Sequence, residues 1–442
     1  MTFRRLQPLL MILVALVFTL PIVAVLASWL PLGGQGSGEA AQILREMAAT
    51  VLPRYATTTV WLALLVGVGV ALVGIGSAAL VTLFDFPGRR SLEWLLLLPL
   101  AMPAYVTAYA YTDFLQFSGP LQVWMRATFG LEGRVLPEVR SVGGAAWVFV
   151  FSLYPYVYLL ARTALSERAA HLMEAARLLG APLSRRIREI ALPLARPAVA
   201  AGVALALMET FADFGVSSYF GIQTFTTGIY KAWLSMDNRI AAAQLATMLL
   251  AVVALLLWLE HRAQARMRFV VGRGARASSA EAQPTALHGH QHWLAWALGA
   301  FPVLAGFVAP VAFMLRPLAA DWSVLPWDRF VQWTVNSLRL GAISAVLAVL
   351  LALFLAFSRR RSGDWWTRTV VQLASLGYAV PGAVIVVGLL LPVGWLQAAA
   401  PQSNAGYWVT ATVAGITWAY LVRFSAVALQ SVQSGYARIP TS

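Results

Sequence analysis

The 442-residue chain has no cysteine. That excludes a disulfide, a thiolate metal site and a cysteine nucleophile. Charge is scarce too: Asp, Glu, Lys and Arg together make up 11%, against about 25% in an ordinary soluble domain. Lysine is nearly absent. Lys231 is the only one, and Ala232 follows it. A phosphate-binding P-loop needs G-x-x-x-x-G-K-[ST], with lysine on the phosphates, so this chain has none. Gly33-Gly34-Gln-Gly36-Ser-Gly38 reads as a flexible loop, not a phosphate cradle. Serine, histidine and acid positions form no triad spacing, and covalent catalysis is not expected.

What is abundant is apolar sequence, 60% of all residues. Crossing about 30 Å of hydrocarbon takes roughly 20 apolar residues per helix. About ten such runs begin near Leu9, Thr58, Glu93, Ala145, Pro197, Ile240, Trp293, Thr334, Thr369 and Tyr407. The expected fold is an all-α polytopic membrane protein. The first run follows Arg4 and Arg5 but continues to about Leu30 without an A-x-A site. It therefore reads as a retained span rather than a signal peptide.

The net charge of +14 comes almost wholly from arginine. Placing the N-terminus inside puts most of the 32 basic residues in loops on one side, as the positive-inside rule requires. These loops face an anionic leaflet, so membrane lipid rather than nucleic acid is the expected contact. Residues 261–292, with Arg273, Arg276, Ser278, Ser279 and the histidines His288, His290 and His292, read as a linker between a first part, 1–260, and a second, 293–442. The histidines have no acids beside them, and no metal site is assigned.

The two parts share a motif. Leu98-Pro-Leu-Ala-Met-Pro103 recurs as Leu376-Gly-Tyr-Ala-Val-Pro381, and the same offset aligns Thr59 with Ser337 and Leu62 with Leu340. A proline at matching depth is expected to kink each helix and release a carbonyl.

One loop is more specific. Glu174-Ala175-Ala176, Gly180, Ile190, Leu192 and Pro193 fit E-A-A-x3-G-x9-I-x-L-P without a mismatch. Good helix formers at 174–179 predict a short helix. Gly180 predicts a left-handed turn that ends it. A second helix is expected over Ser184–Ala191, closed by Pro193. Arg177, Arg185, Arg186 and Arg188 would serve acidic partner residues. The competing reading is an amphipathic helix bound to lipid, which needs no fixed Gly and Pro spacing.

This loop, 166–196, resembles the coupling loop of binding-protein-dependent ABC importer permeases. Leu153-Tyr-Pro-Tyr-Val-Tyr-Leu-Leu-Ala-Arg162, Met208-Glu-Thr-Phe-Ala-Asp-Phe-Gly215, Ser218-Tyr-Phe-Gly221 and Thr226-Thr-Gly-Ile-Tyr-Lys-Ala-Trp233 extend the likeness to the fused permeases of ferric-iron importers. The resemblance implies a type I permease of the bacterial inner membrane. It implies two homologous halves of six spans, an ATPase dimer carrying ATP and Mg, a periplasmic binding protein, and no cofactor on this chain. Here the halves count six and four spans. The second stops near Tyr420-Leu-Val-Arg423, short of a second coupling loop, as expected of a truncated sequence. The same scaffold serves thiamine or phosphonate permeases.

Acids within spans suggest function by default. Glu209 and Asp213, four apart, are expected on one helix face, either lining a path for a hard cation that favours oxygen or paired with Arg162 or Arg423. Tyr105, Tyr109, Tyr111 and Asp113 cluster at one end of the third span, and Tyr109 and Asp113 are added to the candidate path. Tyrosine is also common at membrane interfaces. Two other classes compete: a secondary transporter using Glu209 and Asp213 as ion sites, and a nonconducting membrane scaffold.

Overall fold

The computed structural model describes residues 2–30, 37–265, 284–361 and 364–436. Arg273, Arg276, Ser278 and Ser279 of the linker, Gly33, Gly34 and Gly36, and the segment Ile439–Ser442 lie outside the described residues. Almost everything described is helix. α1 (Thr2–Ala27), α2 (Ser37–Thr50) and α3 (Leu52–Leu83) are followed by α4 (Arg89–Leu95), α5 (Ala104–Leu115), α6 (Pro120–Phe129) and α7 (Val142–Thr163). Then come α8 (Ala170–Leu178), α9 (Leu183–Arg186), α10 (Leu192–Ala212), α11 (Gly215–Tyr219), α12 (Phe225–Tyr230) and α13 (Arg239–Ala265). α14 (His290–Val303), α15 (Ala309–Ala320), α16 (Trp327–Arg361), α17 (Trp365–Leu376), α18 (Gly382–Ala399), α19 (Ala405–Thr410) and α20 (Val413–Tyr436) complete the chain. Two two-residue strands, Phe84–Asp85 and Thr285–Ala286, pair in parallel. Among the described residues nine helices are long and apolar enough to cross a membrane, or ten when one bent pair counts as a single span.

Lipid exposure explains the composition. Along α3, Val60, Trp61, Leu64, Leu65, Val68 and Leu72 all face outward. So continuous an apolar surface suits hydrocarbon, not water.

The expected kinks are found, and they are full breaks. In the first, residues 89–101 and 104–129 meet at 88°. Leu97, Leu100 and Met102 donate to Trp94, Leu97 and Pro99, three residues back instead of four. Pro99 and Pro103 have no N–H to give. Met102 (φ −113°, ψ 123°) and Pro103 (φ −59°, ψ 138°) then turn the chain into α5. The second motif repeats this path: a 3-10 turn over Gly377–Ala379, then Val380 (φ −76°, ψ 122°) and Pro381 (φ −59°, ψ 141°) leading into α18. The span expected to run on from Thr369 is thus two helices. The one expected near Tyr407 begins at Val413, beyond the short α19 that holds Tyr407.

Helices pack as two compact units. One gathers residues 1–55, 225–253 and 323–442, and the other 56–224 and 254–322. In the first, α1 lies along α18 and touches α17 and α20, while α16 pairs with α20. In the second, α7 pairs with α10, and α14 and α15 pack on α4, α5 and the π-helical turn that joins them (Leu304–Val308). The first span of each part of the sequence therefore packs among helices of the other part. Small residues permit the close contacts of α7 with α10 and with α3. A Cβ on Gly202 would come 2.6 Å from Val157 Cα, and one on Gly74 would come 2.6 Å from Val157 Cβ.

Gly202→Val is expected to lower stability by about 1–3 kcal/mol through overpacking. Thermal unfolding of the detergent-solubilised protein would measure it, with Gly76→Ala, where a Cβ meets nothing within 4 Å, as the control that leaves the midpoint near wild type.

Candidate functional site

α8 and α9 form the predicted helix pair. The first ends as expected: Gly180 has φ +80°, Gly180 N–H donates to the Arg177 carbonyl at 2.9 Å, and Ala181 N–H donates to the Ala176 carbonyl at 3.0 Å. These two bonds are a Schellman cap, which a left-handed glycine makes cheaply. The cap holds Leu178 and Leu179 in the open, 81% and 88% exposed, and no atom lies within 4 Å of a Cβ on Gly180. Glu174 is half-buried and Ala175 exposed, while Met173 turns inward.

The far side of the loop departs from expectation. Pro193 does not end a helix. The chain is helical from Leu183 through Ala212, with a π-helical turn over Ile187–Ala191 in which Leu192 N–H reaches back five residues to the Ile187 carbonyl. This register shift absorbs the donor that Pro193 lacks. Ile190 and Pro193 are half-buried and Leu192 is 39% exposed. A second π-helical turn, Ala164–Ala169, precedes α8, so the pair is bracketed by two such turns. The arginines differ among themselves. Arg177 faces Glu174 at 3.6 Å and Arg185 faces Glu189 at 3.0 Å, while Arg186 and Arg188 form no ion pair among the described residues. Exposed pairs of this kind contribute at most about 1 kcal/mol, so a stronger partner can displace them.

The acids of the candidate path are placed differently from their spacing. Glu209 lies within α10, half-buried. Asp213 lies just past its end, in extended conformation (φ −75°, ψ 125°), so the two do not share a helical face. Asp213 Oδ1 accepts the N–H of Val216 at 2.8 Å and so starts α11. Burial pushes its carboxyl up to about 6, opposed by the backbone N–H groups of Val216 and Ser217 and assisted by the charge of Glu209. Arg162 is not its partner. It sits at the other end of the α7–α10 pair and bonds Glu93 at 2.7 Å.

Tyr105 and Tyr109 face the same segment, lining with Val106, Phe214, Gly215, Ser218, Tyr219 and Met314 a cleft of about 530 Å³. Tyr109 and Tyr219 rings are 6.0 Å apart, and Arg140 lies 4.8 Å over Tyr219. The expected tyrosine cluster is divided. Tyr111 is buried, its hydroxyl on the Ala305 carbonyl at 2.7 Å, and Asp113 is not among the residues that line the cleft. Among the described residues no three of His, Asp and Glu gather to hold a metal ion. His292 bonds the Leu287 carbonyl.

Sequence reading missed a third feature. Tyr154, Tyr158 and Arg162, each four residues apart on α7, all grip the broken span. Tyr154 donates to the Leu96 carbonyl at 2.9 Å, and Tyr158 donates to the Glu93 carbonyl at 3.0 Å. The regular spacing was visible in the sequence, but the partners, some sixty residues away, were not.

Paired broken spans and an exposed helix pair between α7 and α10 describe a polytopic α-helical membrane protein. Residues 1–269 match the family described as the binding-protein-dependent transport system inner membrane component, and the chain belongs to that family. It is similar to the Fe(3+)-transport system permease protein FbpB 2 of Haemophilus influenzae, with 24% identity over 385 residues covering 86% of this chain and 70% of that one. It is also similar to two Escherichia coli proteins. The sulfate transport system permease protein CysW is 31% identical over 217 residues, covering 47% of this chain and 72% of its own. CysT of the same system is 29% identical over 206 residues, covering 45% and 72%. The chain is thus a multi-pass inner-membrane permease subunit of a binding-protein-dependent importer.

Asp213→Asn keeps an acceptor for Val216 N–H and is expected to unfold like the wild type. Asp213→Ala loses it and should be less stable by about 1 kcal/mol. Thermal melts separate them, and uptake by the Asn variant at equal expression then reports on the charge alone.

Proposed function

We propose that the chain is the membrane permease of an ATP-driven importer whose substrate is ferric iron delivered by a periplasmic binding protein. A separate ATPase dimer docks on residues 166–196 and carries the ATP and Mg. The N-terminus lies inside, which puts this loop on the cytoplasmic face, and no cofactor belongs to this chain. The observation that carries the docking assignment is the Schellman turn at Gly180, with Leu178 and Leu179 exposed beyond any span. Two leucines held in water by a rigid turn gain about 25 cal/mol per Å² when a groove covers them. Glu174, Ala175, Ala176, Gly180, Ile190, Leu192 and Pro193 form the surface and the helical lever behind it. On the other face, the tyrosine-lined cleft, with Glu209 and Asp213 beside it and Asp113 a turn beyond Tyr109, is the start of the path.

Iron as substrate is supported by the length of the similarity to FbpB 2 and by the preference of a hard cation for oxygen. The sulfate permeases define the competing substrate. Radiolabelled ferric iron and sulfate, each offered with its loaded binding protein to cells making equal amounts of this chain, distinguish the two. Iron uptake above the background of cells lacking the chain supports the proposal, and sulfate uptake alone refutes it.

Gly180→Pro cannot adopt φ +80°, and Leu179→Asp places a charge in the docking groove. Each is expected to reduce co-purification of the ATPase at least tenfold. The Leu179→Asp protein should keep its wild-type yield and melting midpoint, because Leu179 contacts water rather than core. Retained ATPase binding in both variants would refute the docking site.

A further inference from the structure

We infer that Glu93 and Arg162 form, with Tyr154 and Tyr158, the element that carries movement of the coupling loop to the broken span and so to the tyrosine cleft. This inference rests on the proposed docking of an ATPase. α7 runs without interruption into the π-helical turn and α8, so Arg162 lies two residues before the loop begins to bend away. Its guanidinium Nη2 meets Glu93 Oε2 at 2.7 Å. Glu93 is also approached by Arg89 at 3.9 Å, and Arg89 by Asp85 at 3.8 Å. One and two turns along the same face of α7, Tyr158 and Tyr154 hold the Glu93 and Leu96 carbonyls. Both tyrosines are fully buried.

Three residues on one helical face thus bind the Glu93 carboxylate, the Glu93 carbonyl and the Leu96 carbonyl. Beyond that segment stands the 88° bend, and beyond the bend α5 carries Tyr105 and Tyr109 into the cleft. A rotation or shift of α7 at its loop end has no slack to absorb it before the bend, because the tyrosine hydroxyls fix the very carbonyls released there. Packed interiors pass such shifts on rather than damping them. Glu93 and Arg162 act through α7 and the broken span, not on the substrate; they are positioning residues.

The absence of cysteine makes the test direct. Ser218→Cys places the only thiol of the chain in the cleft. In the purified complex with its ATPase, the rate of labelling by a membrane-impermeant maleimide is compared with and without ATP and vanadate. We expect at least a threefold change in the Ser218→Cys chain. We expect no change when Glu93→Gln, Arg162→Gln or Tyr158→Phe is added, although the ATPase still co-purifies and ATP is still hydrolysed. The reciprocal exchange Glu93→Arg with Arg162→Glu should recover most of the response. Tyr158→Phe removes a single hydroxyl and keeps the test open where the charge variants fail to fold. An undiminished ATP response in these variants would overturn the inference while leaving the docking proposal intact. Failure of the ATPase to co-purify with the Ser218→Cys chain would overturn both.

Discussion

A carbonyl without a donor is expensive in hydrocarbon, and the whole arrangement follows from where such carbonyls are released. Each unmet backbone group costs several kcal/mol where no water can reach it. A span can therefore bend sharply only where another helix supplies the missing partner. In the first broken span that partner is α7, through Tyr154 and Tyr158. In the α14–α15 span, whose π-helical turn disturbs the regular ladder, Tyr111 serves the Ala305 carbonyl. Tyrosine suits the task because its ring packs like an apolar side chain and its hydroxyl reaches the backbone.

The loop over residues 166–196 obeys the opposite rule. Outside the spans water satisfies backbone groups, so a short helix pair held mainly by a Schellman cap and two exposed ion pairs is sufficient. The sequence there fixes a shape rather than a core. The two π-helical turns on either side join this watery element to the rigid α7–α10 pair without a flexible linker. Register shifts of that kind keep a helix continuous while letting its direction change.

Much of this was legible in the residues, for a physical reason. Membrane spans announce themselves by length, and Gly180 by a backbone angle that only glycine takes without strain. The breaks at Pro103 and Pro381 were readable because proline lacks a donor wherever it stands. Pro193 misled by the same rule. Proline ends a helix only when nothing else absorbs the missing bond, and a π-helical turn does so at Ile187–Ala191. The joint face of Glu209 and Asp213 failed because helical spacing presumes a helix, and α10 stops at Ala212. Arg162 was given a partner by charge when its real one, Glu93, is chosen by which helix ends lie together. Tertiary neighbours of that sort leave no local trace.

The exchange of first spans sets a timetable for biogenesis. α1 is made before the other described helices, yet those it packs against, α17, α18 and α20, are among the last of them. Until then it must persist in the bilayer without its main packing partners. Closure of that unit therefore waits until α20 has been made. α14, by contrast, enters a membrane in which α4, α5 and α7 are already present, so that unit can form before α16 to α20 are made.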